Sequence, residues 1–379
     1  MILNVEDLKK LYKVKVPRMF YDYTEGGSWN EHTMFSNTDD LKKILLRQRV
    51  GINVANRSIR STMLGHNVSM PVVLAPIGMT GMQKANGEIL AAQAAEEFGV
   101  PYCLSTMSIC SIEDVSKNTS KPFWFQLYII KDKEFTKKLI DRAKKANCSA
   151  LVVTVDCQIH SQRHRDTRNG LSTPPKLTFF NILDMMSKPK WSFDMLKTKH
   201  KTFGNISEHI DGVNNLTSIG NWALSQFDPS IRWDDIKWIK DYWGGKLVIK
   251  GILDVNDALE AVRIGADAIV VSNHGGRQLD GAPSSISVLP EIVSKINNRT
   301  EVWIDSGIRS GQDLIKIKAL GAKGAMLGRP YIYGLGALGK EGVTLCLEII
   351  AKELDLTMAY CGHRDINEVD SKVIYKKYE

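Results

Sequence analysis

The sequence lacks the patterns typical of a secreted, disulfide-rich or membrane-spanning protein. Its six cysteines include no C-x-x-C pair, and their spacing matches neither a zinc site nor a disulfide framework. No stretch approaches the ~18 to 20 consecutive apolar residues of a transmembrane helix, and charges interrupt the apolar residues of the N-terminus. We therefore expect reduced thiols and a cytosolic chain.

Nucleic-acid recognition motifs are also missing. The 379 residues carry a formal net charge of +8, but no motif that reads RNA or DNA accompanies this charge. We expect no nucleic-acid partner, and we expect the positive charge to suit anionic small substrates or an anionic membrane surface. With 43% hydrophobic and 24% charged residues, the composition is that of an ordinary globular protein.

Eight short apolar runs, several of them β-branched, alternate with helical patterns. They are PVVLAP (71–76), PYCLST (101–106), FWFQLY (123–128), ALVVTVD (150–156), KLVIKG (246–251), AIVVSN (268–273), EVWIDS (301–306) and GAMLGR (324–329). Intervening segments such as DLIKIKAL (313–320), followed by Gly321, have amphipathic spacing and end in glycine. This alternation predicts an α/β fold, a parallel sheet closed into a (β/α)8 TIM barrel.

Two segments lie outside the barrel pattern. About seventy residues of helical pattern precede the first run, and Pro17 is placed to open a helix that holds Arg18 to Tyr23. We predict that this N-terminal segment is a helical lid across the barrel. The predicted division of a single domain, 1–379, is a helical segment at 1–70, a barrel at 71–156 and 246–356, and a long insertion at 157–245.

The insertion follows the fourth strand and far exceeds the usual connection of ~4 to 6 residues. Its part 177–201 interleaves apolar and basic side chains, namely Phe179, Phe180, Met185, Met186, Trp191 and Phe193 with Lys188, Lys190, Lys197, Lys199 and Lys201. This mixture is typical of a helix on an anionic membrane surface. It suits equally a helical insertion packed on its own barrel or on a neighbouring subunit, and both interpretations stay open.

Polar residues recur where the runs end. In a barrel the active site lies at the carboxyl ends of the strands, so these residues are predicted to meet at one mouth. A lone histidine after a strand is usually structural, but this position and a nearby arginine favour catalysis by His274. The residues are Pro76, Ile77, Gly78, Ser105, Gln126, Tyr128, Thr154, Asp156, Lys250, His274, Arg277, Asp305, Arg309 and Arg329.

The last two runs are followed by turns that suit a phosphate. DSGIRSGQD (305–313) and LGRPYIYG (327–334) each combine small residues with an arginine. Loops after the seventh and eighth strands of barrels bind phosphate through backbone N–H groups and a helix N-terminus. Arg309 and Arg329 would add charge-assisted bonds. The pattern predicts a phosphorylated cofactor or substrate without saying which.

The stretch SNHGGRQLD (272–280) carries a specific resemblance. The chain resembles the FMN-dependent L-2-hydroxy acid oxidase and dehydrogenase family, whose hallmark is this stretch. YDYTEGG, FQLY, TVD followed by QRHRD and RNG, VIKG, DSGIR and LGRP also stand in the family's order. Within the family the chain is most similar to the bacterial respiratory L-lactate dehydrogenase branch, because GNISEHIDG and NWALSQFDPSIRWDDIKWI in the insertion also fit.

This resemblance implies an activity and partners. The expected reaction is oxidation of L-lactate to pyruvate with FMN as the cofactor, followed by electron transfer to a quinone or a cytochrome of the respiratory chain. The expected protein is a homotetramer, bound peripherally on the cytoplasmic side of the inner membrane. Another L-2-hydroxy acid, such as glycolate, mandelate or a longer one, with oxygen or another acceptor, is the alternative.

The resemblance also implies residue roles. His274 would be the base, Asp156 would orient and stabilise its protonated imidazole, and Lys250 would lie by the flavin N1 and O2. The substrate would be bound by Tyr23, Tyr128, Arg163 and Arg277, with the two arginines on the carboxylate. Ser105, Gln126 and Thr154 would hold the isoalloxazine edge, Asp305 the ribityl chain, and Gly307, Arg309, Gly328 and Arg329 the phosphate. Pro76, Ile77, Gly78 and Ser272 complete the expected cofactor site, and no metal is expected.

Some residues depart from the commoner family patterns. VDCQIHSQRHRD lacks the proline and glycine often found after TVD, and Gln158 and His160 in this fourth loop also depart from the common pattern. Ser306 replaces a glycine but also occurs in the lactate dehydrogenase branch. Met107 stands where some oxidases have a tryptophan, which leaves the preferred substrate side chain open.

Two other enzyme classes could use the same residues. Lys250 on a barrel strand could form a Schiff base, as in a class I aldolase. Asp156, His160 and His164 could be ligands in a metal-dependent hydrolase.

Overall fold

The computed structural model of this chain describes residues 1–171, 178–207 and 225–375. Three helices and a hairpin precede the barrel: α1 (Val5–Lys15), α2 (Arg18–Glu25), α3 (His32–Lys43), β1 (Ser61–Met63) and β2 (His66–Val68). Helix α2 begins directly after Pro17, as predicted. The hairpin was not predicted, because three-residue strands are too short to show a period; Leu64 and Gly65, both at positive φ, form its turn.

The barrel strands and helices then alternate. In order they are β3 (Val72–Leu74), α4 (Thr80–Gln83), α5 (Gly87–Phe98), β4 (Cys103–Ser105), α6 (Ile112–Asn118), β5 (Trp124–Tyr128), α7 (Lys133–Lys145), β6 (Ala150–Thr154), then the insertion helices α8 (His164–Arg168), α9 (Phe179–Met186), α10 (Pro189–Lys197) and α11 (Trp233–Trp243). They continue with β7 (Lys246–Ile252), α12 (Val255–Arg263), β8 (Ala268–Val271), α13 (Ser285–Ile296), β9 (Glu301–Ile304), α14 (Gly311–Ala319), β10 (Gly324–Leu327), α15 (Arg329–Leu338) and α16 (Lys340–Tyr360). Short 3-10 turns follow at Ile366–Glu368 and Ser371–Val373.

The eight strands β3 to β10 form one parallel sheet in the order β3-β10-β9-β8-β7-β6-β5-β4. Its two ends meet, because Leu74 bridges Tyr102 and the Leu74 N–H donates to the carbonyl of Pro101 at 2.9 Å. Seven of the predicted runs each contain one of these strands, and the remaining strand, β7, extends one residue past its run, to Ile252. The prediction of a (β/α)8 barrel is therefore confirmed.

The barrel interior is filled by side chains. The indole rings of Trp124 and Trp303 stack at its centre with centroids 5.3 Å apart. Met63, Leu64 and Val68 of the β1–β2 hairpin belong to the same apolar cluster. The hairpin closes the amino-terminal end of the strands, since a Cβ on Gly324 would meet the methyl of Met63. A cavity lies at the other end of the strands.

The N-terminal helices pack on the barrel through a shared outer core. Leu8 and Tyr12 of α1 are fully buried in this core with Tyr333 of α15. The Tyr12 hydroxyl donates to Gln83 Oε1 at 2.6 Å, which ties α1 to α4. The predicted helical lid is thus part of the folded body.

The insertion between β6 and β7 is confirmed, and part of it packs on the barrel. The indole of Trp191 in α10 lies 5.5 Å from the ring of Phe20 and donates to the carbonyl of Met82 at 2.9 Å. Residues 172–177, which include Leu177 of the predicted 177–201 segment, lie outside the described residues. So do residues 208–224, which hold parts of GNISEHIDG and NWALSQFDPSIRWDDIKWI.

Candidate active site

A strained turn presents His274. After β8 the chain passes through three consecutive left-handed residues, His274 at φ 58°, Gly275 at 71° and Gly276 at 71°. Glycine adopts this conformation freely, whereas a histidine there costs about 1 to 3 kcal/mol. Two hydroxyls hold the turn: Ser272 Oγ accepts from the His274 N–H at 3.1 Å, and Ser306 Oγ accepts from the Gly275 N–H at 3.0 Å. The imidazole consequently has a defined position in the cavity wall.

The same turn docks on the N-terminal lid. A Cβ on Gly276 would overlap the backbone of Met34, so glycine is required for this close approach. The Ser28 N–H donates to the Gly276 carbonyl at 2.9 Å, and the Thr33 N–H donates to Asp280 Oδ1 at 2.9 Å. Lid and turn thus form one unit.

Two arginines reinforce this unit. Arg329 donates from Nε to the Thr24 carbonyl at 2.9 Å, from Nη1 to the Gly275 carbonyl at 3.0 Å and from Nη2 to the Gly26 carbonyl at 3.0 Å. Arg277 Nη1 donates to the same Gly26 carbonyl at 2.8 Å. Both side chains also line the cavity, so the structure gives Arg329 a bracing contact besides the phosphate role predicted from the sequence.

His274 is paired with Asp156, which follows β6. The two side chains meet at 2.9 Å between Nδ1 and Oδ1, and Gln278 Nε2 donates to the Asp156 carbonyl at 2.7 Å. Since a carboxylate only accepts, Nδ1 carries the proton and Nε2 keeps the lone pair. Burial lowers the pKa of His274, and the negative charge of Asp156 offsets only part of this effect. The imidazole is therefore neutral near pH 7 and suited to accept a proton.

Two guanidinium groups face the cavity beside this pair. Burial and the like charge of Arg163 lower the pKa of Arg277 to about 10, which leaves Arg277 charged near pH 7. The Arg277 guanidinium lies 4.8 Å from the ring centre of Tyr23. Arg163 has only a long contact to Asp166, at 3.8 Å, and its buried Nε has no partner among the described residues. The unsatisfied positive charge favours a bound anion.

Lys250 is held as an ammonium ion. Its Nζ lies 2.8 Å from Asp305 Oδ2 and donates to Ser272 Oγ at 3.0 Å. Burial alone would lower the pKa of Lys250, but the carboxylates of Asp305 and Asp156 outweigh burial and raise it. A Schiff-base lysine needs the opposite shift, so this environment disfavours the aldolase alternative.

These side chains surround one cavity of about 260 Å³ at the carboxyl ends of the strands. Most predicted site residues line it: Tyr23, Pro76, Ile77, Gly78, Tyr128, Arg163, Lys250, His274, Arg277, Asp305, Gly307, Arg309, Gly328 and Arg329. The others, Ser105, Gln126, Thr154, Asp156 and Ser272, are buried or half-buried outside the lining.

Two of those remaining residues fit a flavin. Gln126 Oε1 is fixed by the Ser105 hydroxyl, which donates to it at 3.1 Å. The Gln126 Nε2 and the Thr154 Oγ1 are buried, and neither has a hydrogen-bond partner in the described part of the chain. Each unpaired polar atom costs about 1 to 3 kcal/mol, so a ligand with complementary groups is expected here. The polar edge of an isoalloxazine ring provides such groups.

The sequence did not indicate Phe227, which completes the cavity wall. Its ring meets the ring of Tyr128 edge-on at 5.6 Å and stacks on His160 at 6.4 Å. A backbone bridge to Ile130 brings this late part of the insertion to the end of β5. Phe227 and Met107 both line the cavity. The sequence did contain a signal for Phe227, because this residue lies in NWALSQFDPSIRW, a stretch that carried the family resemblance.

Cys157 was also missed. Its Sγ lies 3.4 Å from Asp156 Oδ1 and 3.5 Å from His274 Nδ1. The hydrolase alternative placed Asp156 with His160 and His164, but the described structure groups Asp156 with Cys157 and His274 instead.

Known proteins match this chain along almost its whole length. The family described as FMN-dependent dehydrogenase matches residues 12–376. The chain is 43% identical to the L-lactate dehydrogenase of Pseudomonas syringae pv. syringae (strain B728a), over 99% of each chain. It is 43% identical to that of Vibrio cholerae serotype O1 (strain M66-2), over 98% of each. The crystal structure of the monotopic membrane protein (S)-mandelate dehydrogenase is similar with a TM-score of 0.95 and 34% identity, over 99% of this chain and 100% of that one.

The unpaired hydroxyl of Thr154 allows a test of the flavin fit. Thr154→Val removes a buried oxygen that has no hydrogen-bond partner in the described ranges, so the flavin-free protein should keep or increase its free energy of unfolding. FMN binding should weaken about fivefold, equivalent to the ~1 kcal/mol of one hydrogen bond. Fluorescence titration with FMN and urea unfolding measure the two quantities.

Thr136→Val is the matched control. Thr136 is equally buried in α7, but its hydroxyl donates to the Asp132 carbonyl at 3.1 Å and lies away from the cavity. This control should lose about 1 kcal/mol of stability and bind FMN as the wild type does. Unchanged FMN affinity in Thr154→Val would contradict the assignment.

Proposed function

Because this chain belongs to the FMN-dependent dehydrogenase family, we propose that it oxidises L-lactate to pyruvate. One observation carries the proposal: a neutral imidazole, oriented by Asp156, and the guanidinium groups of Arg163 and Arg277 face the same cavity. A 2-hydroxy acid needs both a base and an anion clamp. The names of relatives that are 43% identical over nearly the full chain support lactate as the substrate.

A larger 2-hydroxy acid is the second candidate. The similar structure with a TM-score of 0.95 is a mandelate dehydrogenase. Phe227, whose ring meets that of Tyr128, and Met107, which lines the same cavity, are apolar side chains that a substrate side chain would meet. Lactate is favoured because identity to the lactate dehydrogenases is higher, at 43% against 34%.

FMN, when bound, supplies the acceptor for the two electrons that leave the substrate. Gln126, Thr154 and Ser105 would hold the edge of its ring, with Lys250 beside the flavin N1 and O2 and Asp305 on the ribityl chain. The backbone of Pro76, Ile77 and Gly78 and the Ser272 side chain would complete the ring site. Gly307, Arg309, Gly328 and Arg329 would bind the phosphate.

The protein's own side chains bind the substrate and move its proton. Arg163 and Arg277 hold the carboxylate, and the hydroxyls of Tyr23 and Tyr128 donate hydrogen bonds to the substrate. His274 accepts a proton at Nε2. Asp156, bonded to Nδ1, stabilises the imidazolium that forms and keeps the ring oriented.

A panel of 2-hydroxy acids tests the substrate. L-lactate, D-lactate, glycolate and both mandelate enantiomers are mixed anaerobically with the FMN-loaded protein, and the loss of flavin absorbance is followed. L-lactate should reduce the flavin fastest and D-lactate should not, because two fixed guanidinium groups and one base leave one enantiomer oriented for reaction. Faster reduction by (S)-mandelate would establish a larger 2-hydroxy acid as the substrate. Equal rates for both lactate enantiomers would show that Arg163 and Arg277 do not orient the substrate.

His274→Gln tests the base. Glutamine keeps a hydrogen-bonding side chain of similar size but cannot take up the proton. Flavin reduction should therefore slow by roughly 10²- to 10⁴-fold, the usual contribution of a general base. Pyruvate binding should change little because Arg163 and Arg277 remain, and FMN binding should change little because Arg309 and Arg329 remain. Asp156→Asn, which keeps the base but removes its charged partner, should lose less. Rapid reduction of the FMN-loaded His274→Gln protein would show that another group accepts the proton.

Electron acceptor, assembly and location are further parts of the proposal. We propose a respiratory-chain acceptor, quinone or cytochrome, for a homotetramer on the cytoplasmic side of the inner membrane. We also propose that the whole chain, 1–379, functions as a single domain.

An apolar patch on the insertion would attach the protein to anionic lipid. In helices α9 and α10, Trp191 and Met185 turn towards the barrel core. The opposite side exposes large apolar residues, namely Phe179, Phe180, Ile182, Leu183, Met186, Phe193 and Leu196. Lys190, Lys197, Lys199 and Lys201 are exposed nearby. This two-sided arrangement matches a helix pair lying in a membrane interface.

Other observations agree with peripheral attachment. Throughout the described ranges, every helix is too short or too polar to cross a bilayer. The similar (S)-mandelate dehydrogenase is described as a monotopic membrane protein. Each lysine near an anionic surface contributes about 1 kcal/mol, so salt should weaken attachment.

Substitution of the patch tests this attachment. Phe179, Phe180 and Leu196 are 69%, 79% and 74% exposed, so changing all three to serine should leave the fold intact. If each of the three inserts into lipid, each contributes ~1.5 kcal/mol or more to binding. Their combined loss should therefore weaken binding to anionic vesicles about a thousandfold or more. Reduction of a soluble dye should be unaffected. Sedimentation with vesicles at low and high salt measures the binding.

The matched control changes exposed apolar residues elsewhere, Leu3→Ser, Val14→Ser and Val50→Ser, which are 67%, 66% and 82% exposed. This control should bind vesicles as the wild type does. Equal binding by both triple variants would contradict lipid attachment. A smaller assembly in the patch variant would assign the patch to a subunit contact instead.

A further inference from the structure

The proposed base, His274, and two neighbouring side chains bring three different donor atoms together. Cys157 Sγ, Asp156 Oδ1 and His274 Nδ1 lie within hydrogen-bonding reach of one another, with Sγ–Oδ1 at 3.4 Å, Sγ–Nδ1 at 3.5 Å and Nδ1–Oδ1 at 2.9 Å. Thiolate, carboxylate and imidazole are the ligands that Zn²⁺ uses in proteins. The geometry of this triangle can be compared with that of a zinc site.

In a tetrahedral zinc site with ordinary bond lengths, the edges that involve sulfur measure roughly 3.5 to 3.7 Å and the nitrogen–oxygen edge roughly 3.4 Å. Both sulfur edges observed here, 3.4 and 3.5 Å, agree with these values within about 0.2 Å. The Nδ1–Oδ1 edge is shorter, 2.9 Å, because a hydrogen bond now joins the two atoms. Replacing that proton by an ion requires the edge to open by about half an ångström, within the reach of side-chain rotation.

The charges of the ligands themselves also suit a divalent cation. When the ion binds, the Cys157 thiol releases its proton to solvent, and the resulting thiolate and the Asp156 carboxylate together balance the two positive charges of the ion. Of the two cations that act on Cys157, Lys250 is paired with Asp305 at 2.8 Å, and Arg163 lies 3.8 Å from Asp166. Cys157 lines the cavity, whose rim includes the exposed Ile159. An ion can therefore reach the triangle from solvent.

We infer that Asp156, Cys157 and His274 form an inhibitory site for a soft divalent cation such as Zn²⁺. A neutral imidazole has one lone pair. When the ion takes this lone pair at Nδ1, the proton must lie on Nε2, which can no longer accept another proton. The ion would thus block the base. The inhibition rests on the proposed function of His274, whereas the ion binding does not.

Zinc binding is measured first, without any turnover. Equilibrium dialysis of the FMN-loaded protein against ZnCl₂ should find one zinc ion per chain at this site. Loss of a residue that only hydrogen-bonds to a metal ligand lowers metal affinity ~10- to 100-fold. Cys157→Ser removes a ligand itself, so zinc affinity should fall by at least this factor. Cys148→Ser, a buried cysteine outside the cavity, should bind zinc as the wild type does. Equal zinc affinity in Cys157→Ser and wild type would overturn the site.

A second measurement uses the unaltered protein. Iodoacetamide alkylates accessible thiols, and mass spectrometry of the peptide that contains Cys157 follows its rate. Zinc should slow this alkylation, while Mg²⁺, which prefers oxygen ligands, should not. An unchanged alkylation rate in zinc would overturn the site even if Cys157→Ser fails to fold.

Flavin reduction by L-lactate separates the two proposals. Zinc should slow reduction in the wild type and in Cys148→Ser, and EDTA should restore it. The zinc sensitivity of Cys157→Ser, relative to its own zinc-free rate, should be much smaller. Zinc that binds at Cys157 without slowing reduction would leave the metal site standing and would count against His274 as the base.

Discussion

The left-handed turn that follows β8 is the constraint on which the site depends. His274 is held in a strained backbone conformation together with Gly275 and Gly276. Such strain persists only where surrounding contacts determine the conformation. Here the contacts come from three parts of the chain, namely Ser306 after β9, the lid at Ser28 and Arg329 at the start of α15. The imidazole position is therefore a property of the assembled barrel and lid.

This arrangement explains why the N-terminal segment is part of the candidate active site rather than a separate cover. The carbonyls of Thr24 and Gly26 accept hydrogen bonds from Arg329 and, at Gly26, from Arg277. These bonds neutralise no charge, so both guanidinium groups remain available to attract an anion. Tyr23, in the same segment, lies against Arg277. The lid thus supplies one wall of the site. It also fixes the positions of the Arg277 and Arg329 side chains.

The buried ionisable side chains of the site fall into two groups, those with a close partner of opposite type and those without one. Lys250 with Asp305 and His274 with Asp156 are close pairs at 2.8 and 2.9 Å. Arg163 and Arg277 have no comparable carboxylate in the described structure, since the Arg163–Asp166 contact is 3.8 Å. Buried ions without partners are costly, so the unbalanced pair marks where an anionic substrate is expected. The same logic applies to the buried polar atoms of Gln126 and Thr154 that have no partner among the described residues, where a hydrogen-bonding ligand is expected.

The sequence by itself determined the eight strands, the lid helix after Pro17 and the convergence of strand-end residues, because periodicity and chain order specify them in a closed barrel. Only the tertiary structure decided how distant segments meet. Cys157 lies against His274, Phe227 reaches Tyr128, and Arg329 joins the lid to the turn. It also decided that Trp191 faces inward while Phe179 faces solvent. The physical reason is that these contacts join residues far apart in the chain, and their distances follow from barrel closure and insertion packing, which no local pattern encodes.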